Sequence, residues 1–124
     1  MTKTIVRAVV KENGRYMLVQ RAESLGYNQW QFPGGHTDGQ HPAYALKREV
    51  EEETGLLITD LKVYRQFTNP VTEKKNVIYK CKLKGGNVKL QKEEIKNIGW
   101  FTVEQIRRLD ITPSTRIIIS GMRR

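Results

Sequence analysis

Short apolar stretches separated by turn-forming residues run through the chain and predict a sheet of several strands. Residues 4–10 are rich in β-branched side chains, and the Asn13-Gly14 pair that follows is typical of a two-residue hairpin turn. Residues 16–20 then form the returning strand of this predicted hairpin. Residues 77–83 alternate in part between apolar and lysine positions, which indicates a strand with one buried face.

Further extended segments complete the predicted sheet, and loops separate them. A polar loop is expected over residues 23–28, a glycine-rich loop from Gly34 through Gly39, and a turn over residues 85–87. The shorter extended segments are predicted at residues 30–32, 56–58, 61–64, 88–90 and 98–101.

The longest predicted helix starts at Pro42, whose missing N–H would have no partner in the first turn. This helix should run to about residue 54, with Gly55 just past its end as the left-handed cap. Apolar residues at helical spacing should pack it against the sheet. They are Ala45, Leu46 and Val50.

Two shorter helices are expected near the C-terminal end of the sequence. Thr102 and Gln105 form a capping-box pattern that opens a helix to about residue 109. A last helix opens at Thr112-Pro113 and ends near Gly121. The elements together predict a mixed α/β fold, in one domain over residues 1–124, because this length suits a single core.

Charge is distributed unevenly in a chain whose formal net charge is +9. Residues 61–100 carry ten Lys or Arg against three Glu, whereas residues 41–60 carry two against five acidic residues. A basic surface beside an acidic pocket suits an anionic, phosphorylated substrate. The alternative is that the lysines solvate the outer face of a strand pair.

The composition favours a soluble, cytoplasmic protein with no membrane association. No apolar run approaches the roughly 18–20 residues that span a bilayer, and residues 1–7 lack the apolar stretch of a secretory signal. The single cysteine, Cys81, cannot form an internal disulfide, which favours a reducing compartment. We interpret Cys81 as a structural, half-buried thiol.

The most unusual feature is a cluster of four carboxylates in five residues on the predicted long helix. Glu49, Glu52 and Glu53 stand at positions i, i+3 and i+4, so they share one helix face. Like charges at this spacing repel, and three hard oxygen donors suit Mg²⁺ or Mn²⁺. Arg48 is placed to orient one of the carboxylates, whereas Glu51 points away. The alternative is an ordinary solvated acidic face.

The preceding loop favours the metal site, because it brings backbone N–H groups and a helix N-terminus close to the acidic face. With these residues the chain resembles the Nudix hydrolase family, whose pattern is G-x5-E-x7-R-E-U-x-E-E-x-G-U, with U aliphatic. The positions that carry the resemblance are Gly34, Gln40 in place of the first Glu, Arg48, Glu49, Val50, Glu52, Glu53, Gly55 and Leu56. Residues 18–21, 30–35 and 93–101 also look like family features in family order.

The resemblance implies the α/β/α sandwich of that family, with a mixed sheet flanked by helices. It implies cleavage of a nucleoside diphosphate linked to another group, with magnesium as cofactor and manganese as a substitute. Glu49, Glu52 and Glu53 would bind the metal. Glu49, or Glu94 from a later loop, would be the base for the attacking water, and a metal-bound water is easier to deprotonate.

Substrate contacts are expected from the loop and from the second strand. Backbone groups at Gly34 and Gly35 are placed for phosphate oxygens, together with Gln40. Arg21, at the end of the second strand, is the candidate partner of a phosphate or base. Aromatic side chains are candidates for stacking on a base, with core packing as the alternative. They are Trp30, Phe32 and Tyr79.

Two departures from the family pattern bear on activity. Gln40 keeps the shape of Glu but loses its charge, and the loop has three residues, 36–38, where the family usually has four. Asp38 is a candidate replacement for the missing carboxylate. His41 stands where Ser or Thr would normally cap the helix. We interpret both histidines, His36 and His41, as loop structure rather than as ligands.

The sequence therefore predicts a magnesium-dependent pyrophosphohydrolase acting on a nucleotide or a nucleotide derivative. One alternative is a nucleotide-binding module whose catalysis has weakened with Gln40. Another is an RNA 5′-end pyrophosphohydrolase in which lysines between positions 74 and 96 hold the RNA backbone. The substrate depends on loops at residues 22–29 and 68–76, and both a monomer and a homodimer are compatible with the pattern.

Overall fold

The first strand occupies the centre of the sheet because its β-branched residues can be buried on both faces. A computed structural model describes residues 3–123, and in it β1 (Thr4–Glu12) pairs with three other strands. Val6, Ala8 and Val10 face one side of the sheet, and Val9 faces the other. Arg7 and Val9 are two positions apart in the strand, so the Arg7 side chain points to the same side of the sheet as Val9.

Seven strands and three α-helices make up the described part of the chain. The remaining strands are β2 (Arg15–Arg21), β3 (Trp30–Gln31), β4 (Gly34–His36), β5 (Leu56–Thr68), β6 (Lys75–Gly86) and β7 (Ile95–Phe101). The helices are α1 (Pro42–Thr54), α2 (Val103–Arg108) and α3 (Pro113–Ile119), with a 3₁₀ turn at Glu23–Leu25.

The sheet is mixed and runs in the order β3-β2-β1-β6-β5. Strand β1 is parallel to β6 and antiparallel to β2 and β4, and β7 pairs with β2. The register of β1 with β4 sets Arg7 opposite Gly34. This pairing brings the strand that carries Arg7 against the glycine segment that precedes α1.

Two apolar clusters cover the two faces of the sheet. Helix α1 packs on one face through Ala45, Leu46 and Val50, all fully buried. Helices α2 and α3 pack on the other face, where Ile106 and Ile118 are fully buried. Burying apolar side chains on both sides of one sheet produces the predicted α/β/α sandwich.

Local sequence signals predicted several elements correctly. The hairpin turn has Asn13 and Gly14 at φ values of 51° and 77°, as a type I′ turn requires. Helix α1 has the predicted bounds, and Gly55 caps it at φ 78°. His41 takes the capping role through its ring, since its Nδ1 accepts a hydrogen bond from the Ala43 N–H at 3.2 Å. The capping box of α2 is also confirmed.

Three sequence predictions about the chain path are wrong. The turn expected over residues 85–87 falls largely within β6, because Gly85 and Gly86 pair with Leu57 and Leu56 of β5. Gly34–His36 is not loop but strand β4, because its backbone pairs with β1. Residues 88–90 form no strand. Their segment lies instead across the end of α1, where Lys89 N–H donates to the Thr54 carbonyl at 2.8 Å and Gln91 N–H donates to the Glu53 carbonyl at 3.1 Å. It thereby satisfies carbonyls that the helix end leaves without partners.

Cys81 is buried in the cluster beneath α1, with 7% of its surface exposed, rather than half-buried. Burial disfavours the thiolate and raises the pKa of the Cys81 thiol from 9.0 to about 12. This thiol is therefore structural, as the sequence indicated.

Among residues 3–123, no helix is both long enough and apolar enough to cross a bilayer.

The buried thiol predicts a loss of stability in alkali. The unfolded chain ionises Cys81 near pH 9 and the folded chain near pH 12, so its contribution is complete below pH 9 and is lost between these values. The free energy of unfolding should fall by up to about 1.4 kcal/mol per pH unit in this window. Urea unfolding of the protein and of Cys81→Ala from pH 8 to 10.5 checks this, and parallel curves for the two would contradict it.

Candidate active site

Glu53 lies in the last turn of α1 and turns its carboxylate inward, beneath strand β4. The residue is 4% exposed, and its Oε1 accepts a hydrogen bond from the Gly34 backbone N–H at 2.9 Å. The sequence prediction assigned the Gly34 N–H to a substrate phosphate. The structure instead commits it to Glu53, so this donor serves to fix the carboxylate.

The two glycines before α1 are required by close approaches. A side chain on Gly34 would collide with the Val6 carbonyl of β1, and its φ of 151° is one that side chains rarely adopt. A Cβ on Gly35 would lie 2.6 Å from Oε2 of Glu49. The glycine pair therefore lets the backbone pass directly over the two inner carboxylates.

Three carboxylates influence one another at this place. Burial is the main cause that raises the pKa of Glu53 to about 8, and the charges of Glu49 and Glu94 add to it. Arg7 and the Gly34 N–H act in the opposite direction. Burial also raises the pKa of Glu49, with further contributions from Glu52 and Glu94. An excess of mutually repelling oxygen donors fits a divalent cation.

Glu94 reaches this place because of the segment that follows β6. The Gln91 contact to the end of α1 anchors that segment, and Glu94 N–H donates to the Gln91 carbonyl at 2.9 Å. The Glu94 carbonyl accepts from the Ala22 N–H at 2.8 Å, which ties the segment to the end of β2. Glu94 lies at the exposed rim of the cavity that Glu53 lines.

Arg48 organises the outer part of the acidic face. Its Nη1 donates to Oε1 of Glu49 at 3.0 Å and lies 3.3 Å from Oε2 of Glu52. Its Nε donates to Oε1 of Gln40 at 2.8 Å, and Nη2 donates to the His36 carbonyl at 3.2 Å. Arg48 thus orients carboxylates, as predicted, and it also ties α1 to the loop.

The predicted ligand set is on one helix face but is not a preformed cluster. Glu52 is half exposed and turned toward Arg48, while Glu53 lies under β4. Among residues 3–123, no three His, Cys, Asp or Glu side chains are already gathered around a common point for an ion. The donor chemistry nevertheless fits a metal, since the charges of Glu49 and Glu94 act against ionisation of the buried Glu53 carboxylate.

A cavity of about 350 Å³ opens beside Glu53. Glu53 and Glu94 line it together with three cationic side chains. These are Arg7, Arg21 and Lys74. A second cavity of about 430 Å³ adjoins it and shares both arginines. Carboxylates and cations therefore line the same cavity.

The structure brings together some of the predicted substrate residues and separates others. Arg21 and both glycines line the first cavity. Gln40 lies outside that lining, and so does Trp30, which packs edge-on against Phe101 with ring centroids 4.9 Å apart. The other two stacking candidates are in the core. These are Phe32 and Tyr79, which are 0% and 7% exposed.

The loop residues before α1 behave largely as expected. Asp38 is exposed, with its carboxylate 3.7 Å from Nη2 of Arg48, so it faces the outer acidic cluster rather than the cavity. The His36 ring lies against Lys74, with 3.3 Å between their nitrogens. Burial, together with the Lys74 charge, lowers the pKa of His36.

Glu51 is exposed on the opposite side of α1, as predicted.

Sequence reasoning missed Arg7, the cation whose charge acts most strongly on the Glu53 carboxylate. One signal was available, because Arg7 interrupts an otherwise apolar strand at a position that should face inward. Other cavity residues carry no local signal, since they come from loops and from the start of α3. They are Asn69, Thr72 and Ser114.

Comparison with known proteins identifies the family. The model of the NUDIX domain matches residues 1–120. The nucleoside triphosphatase NudI of Enterobacter sp. (strain 638) is 31% identical over 131 residues, which cover 93% of this chain and 92% of that protein. The chain therefore belongs to the Nudix family. Its enzyme class, a Nudix-type pyrophosphohydrolase, is the one that the sequence predicted.

Solved structures share the fold. The crystal structure of UDP-X diphosphatase superposes with a TM-score of 0.71 at 26% identity, over 97% of this chain and 62% of that one. The MutT NUDIX hydrolase from Burkholderia pseudomallei superposes with a TM-score of 0.76 at 21% identity, over 99% of both chains. The predicted α/β/α architecture is thereby confirmed.

Proposed function

We propose that the protein is a magnesium-dependent hydrolase of the diphosphate linkage in a nucleotide or nucleotide derivative. The observation that carries this proposal is the buried Glu53 carboxylate, held by the Gly34 N–H and raised in pKa beside Glu49 and Glu94. Carboxylates held in this state suit a divalent ion. The cavity beside them also carries the cations that a polyphosphate requires.

Each acidic residue has a proposed role. Glu53, Glu49 and Glu52 would hold the metal, which supplies Lewis-acid stabilisation of charge on the phosphate oxygens. Glu49 or Glu94 would accept the proton of the attacking water. Arg48 keeps Glu49 oriented through the 3.0 Å contact, and Gly35 leaves room for that carboxylate.

The names of the relatives span two substrate classes. One is a nucleoside triphosphatase, and another is a UDP-X diphosphatase. We therefore propose nucleoside triphosphates and nucleoside diphosphates linked to a second group as the substrates to compare. Release of phosphate, diphosphate or nucleoside monophosphate should be measured for both classes, with Mg²⁺ or Mn²⁺ present and after chelation. The proposal fails if no compound is cleaved, or if chelation leaves the rate unchanged.

Gln40 provides a test between an active enzyme and a binding module with weakened catalysis. Its side chain contacts Arg48 and does not line the cavity, so Gln40→Glu should strengthen that contact without adding a carboxylate beside Glu53. We expect kcat/KM to change by less than about tenfold. A rise of a hundredfold or more would support the binding module. Gln40→Ala serves as the control for loss of the contact.

A further inference from the structure

Arg7 is a half-buried cation at the point where the two cavities meet. It comes from the central strand, and it lines both the cavity beside Glu53 and the adjoining one. Its Nη1 donates to the Phe32 carbonyl at 3.3 Å, which fixes the direction of the guanidinium. Its Nε is enclosed and has no hydrogen-bond partner within the part of the chain that the structure describes.

The charge of Arg7 has no direct counter-ion. Glu53 attracts it, yet no carboxylate of residues 3–123 lies within the 4.0 Å of a salt bridge with Arg7. Burial lowers the pKa of Arg7, and the nearby charge of Arg21 lowers it further. Enclosing an unpaired guanidinium is costly, and a bound anion would remove that cost.

Arg21 approaches the same place from β2. It lines both cavities, and its guanidinium lies over the ring of Tyr27, 5.5 Å from the centroid. Two arginines that repel one another across a cavity form a site for a group that carries more than one negative charge. The adjoining cavity is lined by both arginines and by no carboxylate of residues 3–123, so this pair also faces a space that Glu53 and Glu94 do not line.

We propose that Arg7, together with Arg21, binds a phosphate group beyond the diphosphate linkage that is cleaved, and so selects linear triphosphates. This inference rests on the proposed function and narrows it. A nucleoside diphosphate joined to a neutral group offers no charge at this position. The same site therefore favours a nucleoside triphosphate over that second class.

Steady-state kinetics test the selectivity of Arg7. For Arg7→Gln, we expect KM for a nucleoside triphosphate to rise at least tenfold with kcat within threefold, since one charged contact to phosphate is lost. The loss in kcat/KM for UDP-glucose should be at least threefold smaller than the loss for the nucleoside triphosphate. The inference would be overturned if kcat/KM fell equally for both substrates, or if only kcat fell. Either result would indicate that Arg7 acts by positioning Glu53.

Direct binding supplies a measurement that does not depend on turnover. Inorganic triphosphate is titrated calorimetrically into the protein in the presence of a chelator. Arg7→Gln should weaken binding at least tenfold, and Arg7→Lys should weaken it less because the charge remains. Arg65→Gln is the matched control, since Arg65 also donates to a backbone carbonyl, that of Ile117, but lines neither cavity.

The two experiments separate the inference from the proposed function. Absence of hydrolysis with triphosphate binding lost in Arg7→Gln would refute the catalytic proposal and leave Arg7 as an anion site. The inference would be overturned if the unmodified protein did not bind triphosphate. It would also be overturned if Arg7→Gln bound triphosphate with the affinity of the unmodified protein. Thermal unfolding confirms that each variant is folded at the temperature used, and Arg7→Lys decides the matter if Arg7→Gln is unfolded.

Discussion

Replacing Glu53 with Gln should lower kcat/KM by about 10²–10⁴-fold, the range typical of a carboxylate that takes part directly in the chemistry. The amide keeps the size of the side chain, and its oxygen can still accept the Gly34 N–H, so the local structure should be preserved. What is lost is the negative charge that, under the proposed function, would hold a metal ion beside Glu49. The measurement is kcat/KM on a cleaved substrate at saturating Mg²⁺.

Glu51→Gln is the matched control for this experiment. Glu51 lies on the same helix, two positions away, but its side chain is exposed and turned from the cavity. The control variant should retain activity within about twofold, as expected for a solvated surface charge. The catalytic role of Glu53 would be refuted if Glu53→Gln had the same kcat/KM as the unmodified protein. If kcat/KM fell equally in Glu53→Gln and Glu51→Gln, the loss would be a general effect of removing a negative charge from the helix.

Gly34→Ala should destabilise the fold by about 3 kcal/mol or more, because its methyl group meets the Val6 carbonyl within the paired backbones of β1 and β4. Relief requires β4 to separate from β1, which would also displace the N–H that holds Glu53. The expected consequence is a drop in Tm of roughly 10 °C, together with loss of activity. Circular dichroism during heating and the kinetic assay measure the two effects.

Gly85→Ala is the control that separates the effect of the steric collision at Gly34 from the effect of the unusual backbone φ. Gly85 has a φ of 158°, close to the 151° of Gly34, but a Cβ built on it meets no atom within 4 Å. Its Tm should fall much less than that of Gly34→Ala. Similar losses in the two variants would show that backbone strain alone is responsible, and the argument from close approach to Val6 would be wrong.

The acidic helix could be predicted in detail because its signals are local. Pro42 and Gly55 define its ends, and the helical period alone puts Glu49, Glu52 and Glu53 on one face. The period does not determine where each carboxylate points. Glu52 turns to Arg48 at the surface, whereas Glu53 is buried against Gly34, 19 positions earlier in the chain.

The chain path was predicted wrongly at the Gly34-Gly35 pair and at residues 88–90. The Gly34-Gly35 pair suggested a phosphate-binding loop, yet its backbone is strand β4 and the Gly34 N–H serves Glu53. Residues 88–90 were expected to form a strand but lie across the end of α1, where the Thr54 carbonyl accepts the Lys89 N–H and the Glu53 carbonyl accepts the N–H of the adjacent Gln91. Both outcomes depend on partners that are remote in sequence.

By itself the sequence determined the family pattern, the long helix with its caps and acidic face, and the first hairpin. These follow from interactions within a few residues, which spacing and residue type can specify. Only the tertiary structure placed Arg7 beside Arg21 and brought Glu94 to the rim of the same cavity. Those arrangements come from strand register and from packing on two faces of a sheet, where residues far apart in the chain meet in space.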